Sequence, residues 1–419
     1  MRYRGAFARL GKVDVSELER AYRGEATRIR ALLARRLGDV GLAEELVQDA
    51  FVEALEHWQT DGVPANPGGW LTTTAWRKAL DRQRRAKAGL EKLTLLAVTQ
   101  DRTGSAAAHL ADPQAEADDL LSLVFACCHP ALPPDSQVAL TLRAVCGLTT
   151  AEIAVAFLVS EQTMGQRLSR ARRTLRDEGV AIRVPDPDQL GERLAAVLAV
   201  VYLVFNEGYL ASAGRSPARR DLAAQAVSLA RLLHRLMPRE PEVLGLLALL
   251  LLHESRAAAR FDGWGRLIQL ADQDRARWDH ELAAEATGLL DRALALRQPG
   301  PYQVQAAIAA LHAAAADYQQ TDWQQIRLLY DRLLIMTPSP VIQLNRAVAT
   351  RFACGPEAAL AEVEPLAAEL DDYRLFHAVR AELLAAAGRT AAARAANERA
   401  LALTANPAER ELIARRLKG

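Results

Sequence analysis

The side chains best equipped to recognise another molecule sit in one run, TTAEIAVAFLVSEQTMGQRLSRARRTL, from Thr149 to Leu175. Helical spacing puts Gln162, Thr163, Gln166, Ser169, Arg170 and Arg173 on one face, with Arg167 on its flank. Glutamine and arginine can read base edges in a major groove, and further arginines can hold phosphates. That chemistry is recognition of nucleic acid without bond making. Other reactive types are scattered. Cys127, Cys128 and His129 are consecutive, which is not a chelating spacing, so a buried structural role is expected. LLHESR, with His253 and Glu254, lacks the second histidine of a zinc protease. Asn206, Glu207 and Tyr209 of FNEGY read as a polar network that locks helices. DQDRARWD, Asp272 to Asp279, reads as an ion-pair network, although Tyr209 and Trp278 could instead line a ligand or peptide groove. No catalytic constellation, metal site or cofactor site is expected.

Those recognition residues need a rigid scaffold, and the surrounding residues supply one. Thr149 and Glu152 have capping-box spacing, and Ile153, Ala154 and Phe157 give the first short helix an apolar face. Ser160 can cap the second helix, in which Met164, Leu168, Ala171 and Leu175 form one buried stripe. Two short helices with a tight break make a helix-turn-helix.

The chain has 419 residues, half of them hydrophobic, and a net charge of only +1. Any attraction to nucleic acid or membrane must therefore come from local patches. Four cysteines without a C-x-x-C pair suggest a reducing compartment. The first residues lack a signal-peptide core, and the longest apolar run, Val243 to Leu252, is too short to span a bilayer. A cytoplasmic protein without a membrane partner is expected.

Alanine, leucine, arginine and glutamate dominate without period-two alternation, so the expected fold class is all-α. Residues 1–87 form a helical block with a basic end. Residues 88–119 read as an acidic linker with Asp101, Asp112, Glu116, Asp118 and Asp119. A second helical block covers 120–183. VPDPD, Val184 to Asp188, is a short stiff joint before a helical extension, 184–300, and a repeat-like part, 301–419. Gly355 and Gly388, 33 positions apart, punctuate two helical pairs in the tetratricopeptide manner. Such pairs present a concave surface suited to a protein partner.

In the first block, Leu37 to Trp58 places Leu42, Leu46, Val47, Ala50, Phe51, Ala54 and Leu55 inward. Glu45, Gln48, Asp49, Val52 and Glu56 face outward and suit a basic partner. A loop containing Asn66 follows, then WLTTTAWRKALDRQRRAK, basic at Arg77, Lys78, Arg82, Arg84, Arg85 and Lys87. Trp70 and Trp76 are candidates for stacking on bases, or are core.

Two basic helices separated by an acidic linker resemble a bacterial RNA polymerase sigma factor of the extracytoplasmic-function type. AEELVQDAF resembles that family's core-polymerase-binding helix, NPGGWLTTTAWRKALDRQRR its minus-ten element, and the run from Leu132 to Arg176 its minus-thirty-five reader. YLVFNEGYLASAG, QDRARWDHEL and GPYQVQAAIAALHAAAADYQQTDWQQI are similar to a subgroup with a long fused helical extension thought to regulate the sigma factor. The resemblance implies core RNA polymerase and promoter DNA as partners. It assigns polymerase binding to Glu45, Gln48, Asp49 and Val52. It assigns minus-ten binding to Asn66, Trp70, Arg77, Lys78, Arg84 and Arg85. It assigns minus-thirty-five binding to Gln162, Thr163, Gln166, Arg167, Arg170 and Arg173. It also implies that the acidic linker mimics nucleic acid inside the polymerase. Arg172 is expected, if it meets DNA, on a phosphate. One departure stands out: Arg77 occupies a position where many such factors have asparagine, which puts the minus-ten preference in doubt. The alternative is a free-standing helix-turn-helix regulator with a sensing helical domain, which would have no use for a polymerase-binding face.

Overall fold

A computed structural model describes residues 15–90, 113–157, 159–210 and 218–418. The chain divides into two compact units, 1–200 and 201–419. Helices fill both, and no strand occurs among the described residues apart from one isolated bridge between Phe261 and Leu267.

In the first unit, α1 (Val15–Leu37) packs against α2 (Val40–Asp61), and α2 against α3 (Pro67–Leu90). Asp39 starts α2 by accepting the amides of Gly41 and Leu42. Asn66 accepts the Gly69 amide at 2.9 Å and starts α3. A Cβ at Gly68 would stand 2.6 Å from the Glu25 carboxylate, which would have to swing aside. The second helical set is α4 (Pro113–Cys127), α5 (Pro134–Ala144), α6 (Thr150–Ala156) and α7 (Glu161–Asp177). Ile29, Leu32, Leu33, Leu46, Leu71, Leu123, Phe125, Leu140 and Leu142 are fully buried and make the core. Cys127 and Cys128 lie in it, and burial pushes the Cys128 thiol up to about 11.

The expected acidic linker is helical at both ends. α3 continues to Leu90 and α4 begins at Pro113, while residues 91–112, with Asp101 and Asp112, lie outside the described residues. The acids on α4 also have intramolecular work. Glu116 meets Arg28 at 2.5 Å, and the nearly inaccessible Asp119 meets Arg35 at 2.9 Å. A buried carboxylate must be paired, and α1 supplies the arginines.

VPDPD is the break before α8 (Pro187–Tyr209), but the division into units falls at 200/201, inside that helix. The early turns of α8 serve the first unit, since Arg193 donates to the Phe125 carbonyl at 2.7 Å.

The second unit centres on the hydrophobic run seen in the sequence. α10 (Pro241–Glu254) buries every residue from Val243 to Leu252. It is covered by α9 (Arg220–Leu236), α11 (His280–Ala295) and α12 (Pro301–Ala314). Irregular chain with 3-10 turns links α10 to α11. Then come α13 (Trp323–Met336), α14 (Pro340–Cys354), α15 (Pro356–Val363), the short α16 (Ala367–Leu370), α17 (Arg374–Ala386), α18 (Thr390–Leu403) and α19 (Pro407–Lys418). Gly355 (φ 94°) and Gly388 (φ 75°) turn the α14–α15 and α17–α18 pairs. Side chains are strained at such φ, which explains the glycine spacing. Among the described residues no helix is long and apolar enough to cross a membrane.

Candidate nucleic-acid and polymerase interface

Helix α7 is built as its sequence demands. Ser160 Oγ accepts the Thr163 amide at 3.1 Å, and Met164, Leu168, Ala171 and Leu175 are buried. The capping box before α6 is closed on both sides: Thr149 N donates to Glu152 at 2.7 Å and Glu152 N to Thr149 Oγ1 at 3.2 Å. Gln162, Thr163, Gln166, Arg170 and Arg173 are exposed along one side. Arg167 is half-buried, 3.3 Å from Asp135, with its guanidinium 5.2 Å from the Phe157 ring centroid. It borders that exposed side rather than standing on it.

On α2, Asp49, Val52 and Glu56 are exposed. Glu45 is exposed but bound to Arg82 at 2.6 Å, and Gln48 is half-buried and donates to Glu44 at 3.2 Å. On α3, Arg77 and Arg84 are exposed, with Arg84 3.8 Å from Asp81, while Lys78 meets Glu53 at 2.7 Å. Basic residues of α3 therefore cover part of the acidic face of α2. Trp70 is half-buried, its ring 5.5 Å from Trp58. Trp76 is core, 6% exposed, so it is unavailable for stacking on bases. Asn66 is exposed but its amide oxygen is engaged as the α3 cap. The Arg85 side chain lies outside the described residues.

The residues that sequence reasoning missed centre on Glu44. This carboxylate, 4% exposed, is held by Arg143 of α5 at 2.5 Å and by Arg172 of α7. Beside it Arg176 meets Asp39 at 3.0 Å, Thr27 donates to the Val145 carbonyl at 3.2 Å, and Arg30 donates to the Ala144 carbonyl. These bonds join α1 and α2 to the helix-turn-helix. Arg172 thus points into the protein and binds Glu44, a correction to its expected place on a phosphate. A signal was present: Val40, Glu44, Val47 and Phe51 recur at spacings of four, three and four, so Glu44 falls on a buried stripe.

The motifs of the extension meet one another in the second unit. Arg256 Nη2 donates to the Tyr209 hydroxyl at 3.1 Å, and the Arg260 guanidinium lies 3.3 Å from the Tyr209 ring centroid. Arg256 and Arg275 lie 5.5 Å and 4.6 Å from the Trp278 ring. DQDRARWD is therefore not an ion-pair network. Asp274 accepts the Ala276 amide and Asp279 the Leu282 amide, so these acids cap helices instead of pairing with arginine. Asn206 is exposed, and the cross-helix bond near it is made by Tyr202, whose hydroxyl donates to Gln305 at 3.4 Å.

Comparison with known proteins agrees with this geometry. Residues 21–89 match the model for sigma-70 region 2 and residues 122–175 that for sigma-70 region 4. Residues 193–294 match a family of unknown function, DUF6596. An uncharacterised protein of Rhizobium meliloti is 47% identical over 91% of this chain and 90% of its own length. The ECF RNA polymerase sigma factor SigK of Mycobacterium ulcerans is 31% identical over 37% of this chain and 82% of its own. The ECF RNA polymerase sigma factor SigJ of Mycobacterium tuberculosis is 31% identical over 45% of this chain and 59% of its own.

Proposed function

The chain belongs to the extracytoplasmic-function RNA polymerase sigma factors, and on that premise we propose how its residues divide the work of promoter-specific initiation. Region 2, within 1–87, meets core polymerase through the outward face of α2, with Asp49 and Val52 open and Glu45 and Gln48 beside them. α3 handles the minus-ten element through Asn66, Trp70, Arg77, Lys78, Arg84 and Arg85. α7, in 120–183, lies in the major groove of the minus-thirty-five element. Gln162, Thr163, Gln166, Arg170 and Arg173 face the DNA there, and Arg167 lies at the edge. The protein works in the cytoplasm, carries no reaction of its own, and its extension regulates initiation. The observation that supports this reading best is α7 itself: a capped helix, apolar underneath, with glutamine and arginine outward. Region 2 has no place in a free-standing regulator, which sets that alternative aside.

This arrangement is a closed one. Elements about 25 base pairs apart lie about 85 Å apart on B-form DNA. A compact unit of about 200 residues is roughly 40 Å across. The bonds around Glu44 must therefore open before α3 and α7 can reach both elements at once. The test uses full-length protein, purified core polymerase and a promoter panel. Glu45→Lys with Asp49→Lys is expected to lower polymerase retention while the fold persists. Gln166→Ala is expected to change base preference upstream. Unchanged retention in the folded double variant would remove the assignment of α2.

A further inference from the structure

Three arginines of the second unit, Arg256, Arg260 and Arg275, converge around Tyr209 and Trp278. Burial and these guanidiniums push His253 down to about 3 and His312 down to about 4, the mark of a positive local potential. Arg256 is turned to the Tyr209 hydroxyl and Arg275 to the carbonyls of His312 and Ala315. Of the three, only Arg260 lines the cavity of about 180 Å³ that opens beside Tyr209. The carboxylate of Glu254 lines the same cavity.

Two charges of opposite sign therefore border one small space without meeting. Arg260 is 6% exposed, donates to the Tyr209 carbonyl and lies 3.3 Å from the Tyr209 ring centroid. No carboxylate stands within 4 Å of it among the described residues. Glu254 is half-buried, and its ion contact is a loose one, 3.6 Å to Arg220, whose own side chain is mostly exposed. Burial works against both charges, raising the Glu254 carboxyl and lowering the Arg260 guanidinium, although each is favoured by the other. Opposite charges away from water attract strongly, so the chain must hold these two apart. It does so with the 3-10 turn Ala257–Ala259, which separates Glu254 at the end of α10 from Arg260.

We propose that this cavity takes a small zwitterionic α-amino acid, its carboxylate on Arg260 and its ammonium on Glu254. A molecule with both charges satisfies both walls at once. A simple anion would face the Glu254 carboxylate, and a simple cation would face Arg260. Guanidinium and carboxylate are matched in shape as well as charge. Ala223, Ala257 and Phe261 add the apolar wall that a short side chain needs. At roughly 30 Å³ for each water-sized group the cavity holds about six. That is the size of alanine or serine and well short of tryptophan. Binding joins two charges that the fold leaves apart, so it is expected to stabilise the chain.

Glycine, L-alanine and L-serine are the probes, each titrated calorimetrically into the full chain at fixed ionic strength. Saturable binding of at least one of them at a single site, with a rise in melting temperature, is expected. For the tightest of the three, acetylating the amine or amidating the carboxylate should weaken binding about ten-fold or more, the loss of one charge-assisted contact. Arg260→Gln and Glu254→Gln should each weaken the parent amino acid to a similar extent. In Glu254→Gln the gap between the parent and its acetylated form should also close. Glu254 is only half-buried, so its variant tests the proposal even if Arg260→Gln folds poorly. Absence of saturable binding by all three in the millimolar range would overturn the proposal. So would equal binding of the capped forms, or binding left undiminished in folded Glu254→Gln.

Discussion

Glu44 and the Arg256–Arg260–Arg275 cluster solve opposite problems. At Glu44 one buried carboxylate has two guanidiniums, those of Arg143 and Arg172. In the cluster three guanidiniums have no carboxylate within 4 Å among the described residues, and backbone carbonyls and aromatic rings stand in. A completed ion pair acts as a fastener, opened only when something competes for its members. The difference separates a paired site in the first unit from an uncompensated one in the second.

The largest expected effect comes from removing the acid. Glu44→Ala leaves Arg143 and Arg172 facing a buried void and should cost about 3 kcal/mol or more. Arg260→Met removes a charge that has no counter-ion within 4 Å among the described residues and should change stability by less than about 1 kcal/mol. Urea denaturation of both variants checks the pair; equal losses would erase the distinction.

Next in size is a pH effect confined to the cluster. His253 and His312 are neutral when folded, with values near 3 and 4 against about 6.5 unfolded. The unfolded chain binds more protons below pH 6.5, so their contribution is whole above that pH and is lost as pH falls toward 4. By pH 5 the loss is about 2 kcal/mol per histidine. Melting curves of the chain and of His253→Gln from pH 7 to 4.5 test this, and an unaltered slope in the variant would count against it.

The two sides of α7 give a third contrast. Gln166→Ala should remove about 1–3 kcal/mol of discrimination at a few upstream base pairs. Arg172→Ala should leave base preference intact and raise polymerase affinity, because it weakens the closure. Binding across a promoter panel separates them. The smallest effect on folding belongs to the exposed pair: Arg82→Ala should shift stability by less than about 1 kcal/mol.

Much of the reading side was legible because it is local. The Ser160 cap, the stripe from Met164 to Leu175 and the glycine turns at 355 and 388 depend on residues a few positions apart. The closure was not, since Glu44 finds Arg143 and Arg172 across 99 and 128 positions and no periodicity links them. DQDRARWD misled for the converse reason. Adjacent opposite charges suggest pairing, but Asp274 and Asp279 were nearer to unsatisfied helix amides than to useful arginines. The residues proposed to face bases and polymerase could be placed on helix faces, but their intramolecular partners, such as Arg82 for Glu45, were hidden.

The all-round burial of α10 has a consequence for synthesis. Its cover includes α12, which ends at Ala314, sixty residues after Glu254. A ribosome adding about 5–20 residues per second needs roughly 3–12 s to make that stretch. During that interval Val243 to Leu252 is an unroofed greasy rod on a nascent chain, an evident client for a chaperone. Strains short of holdase capacity should lose this protein to aggregates early, before its own unit of 201–419 can close.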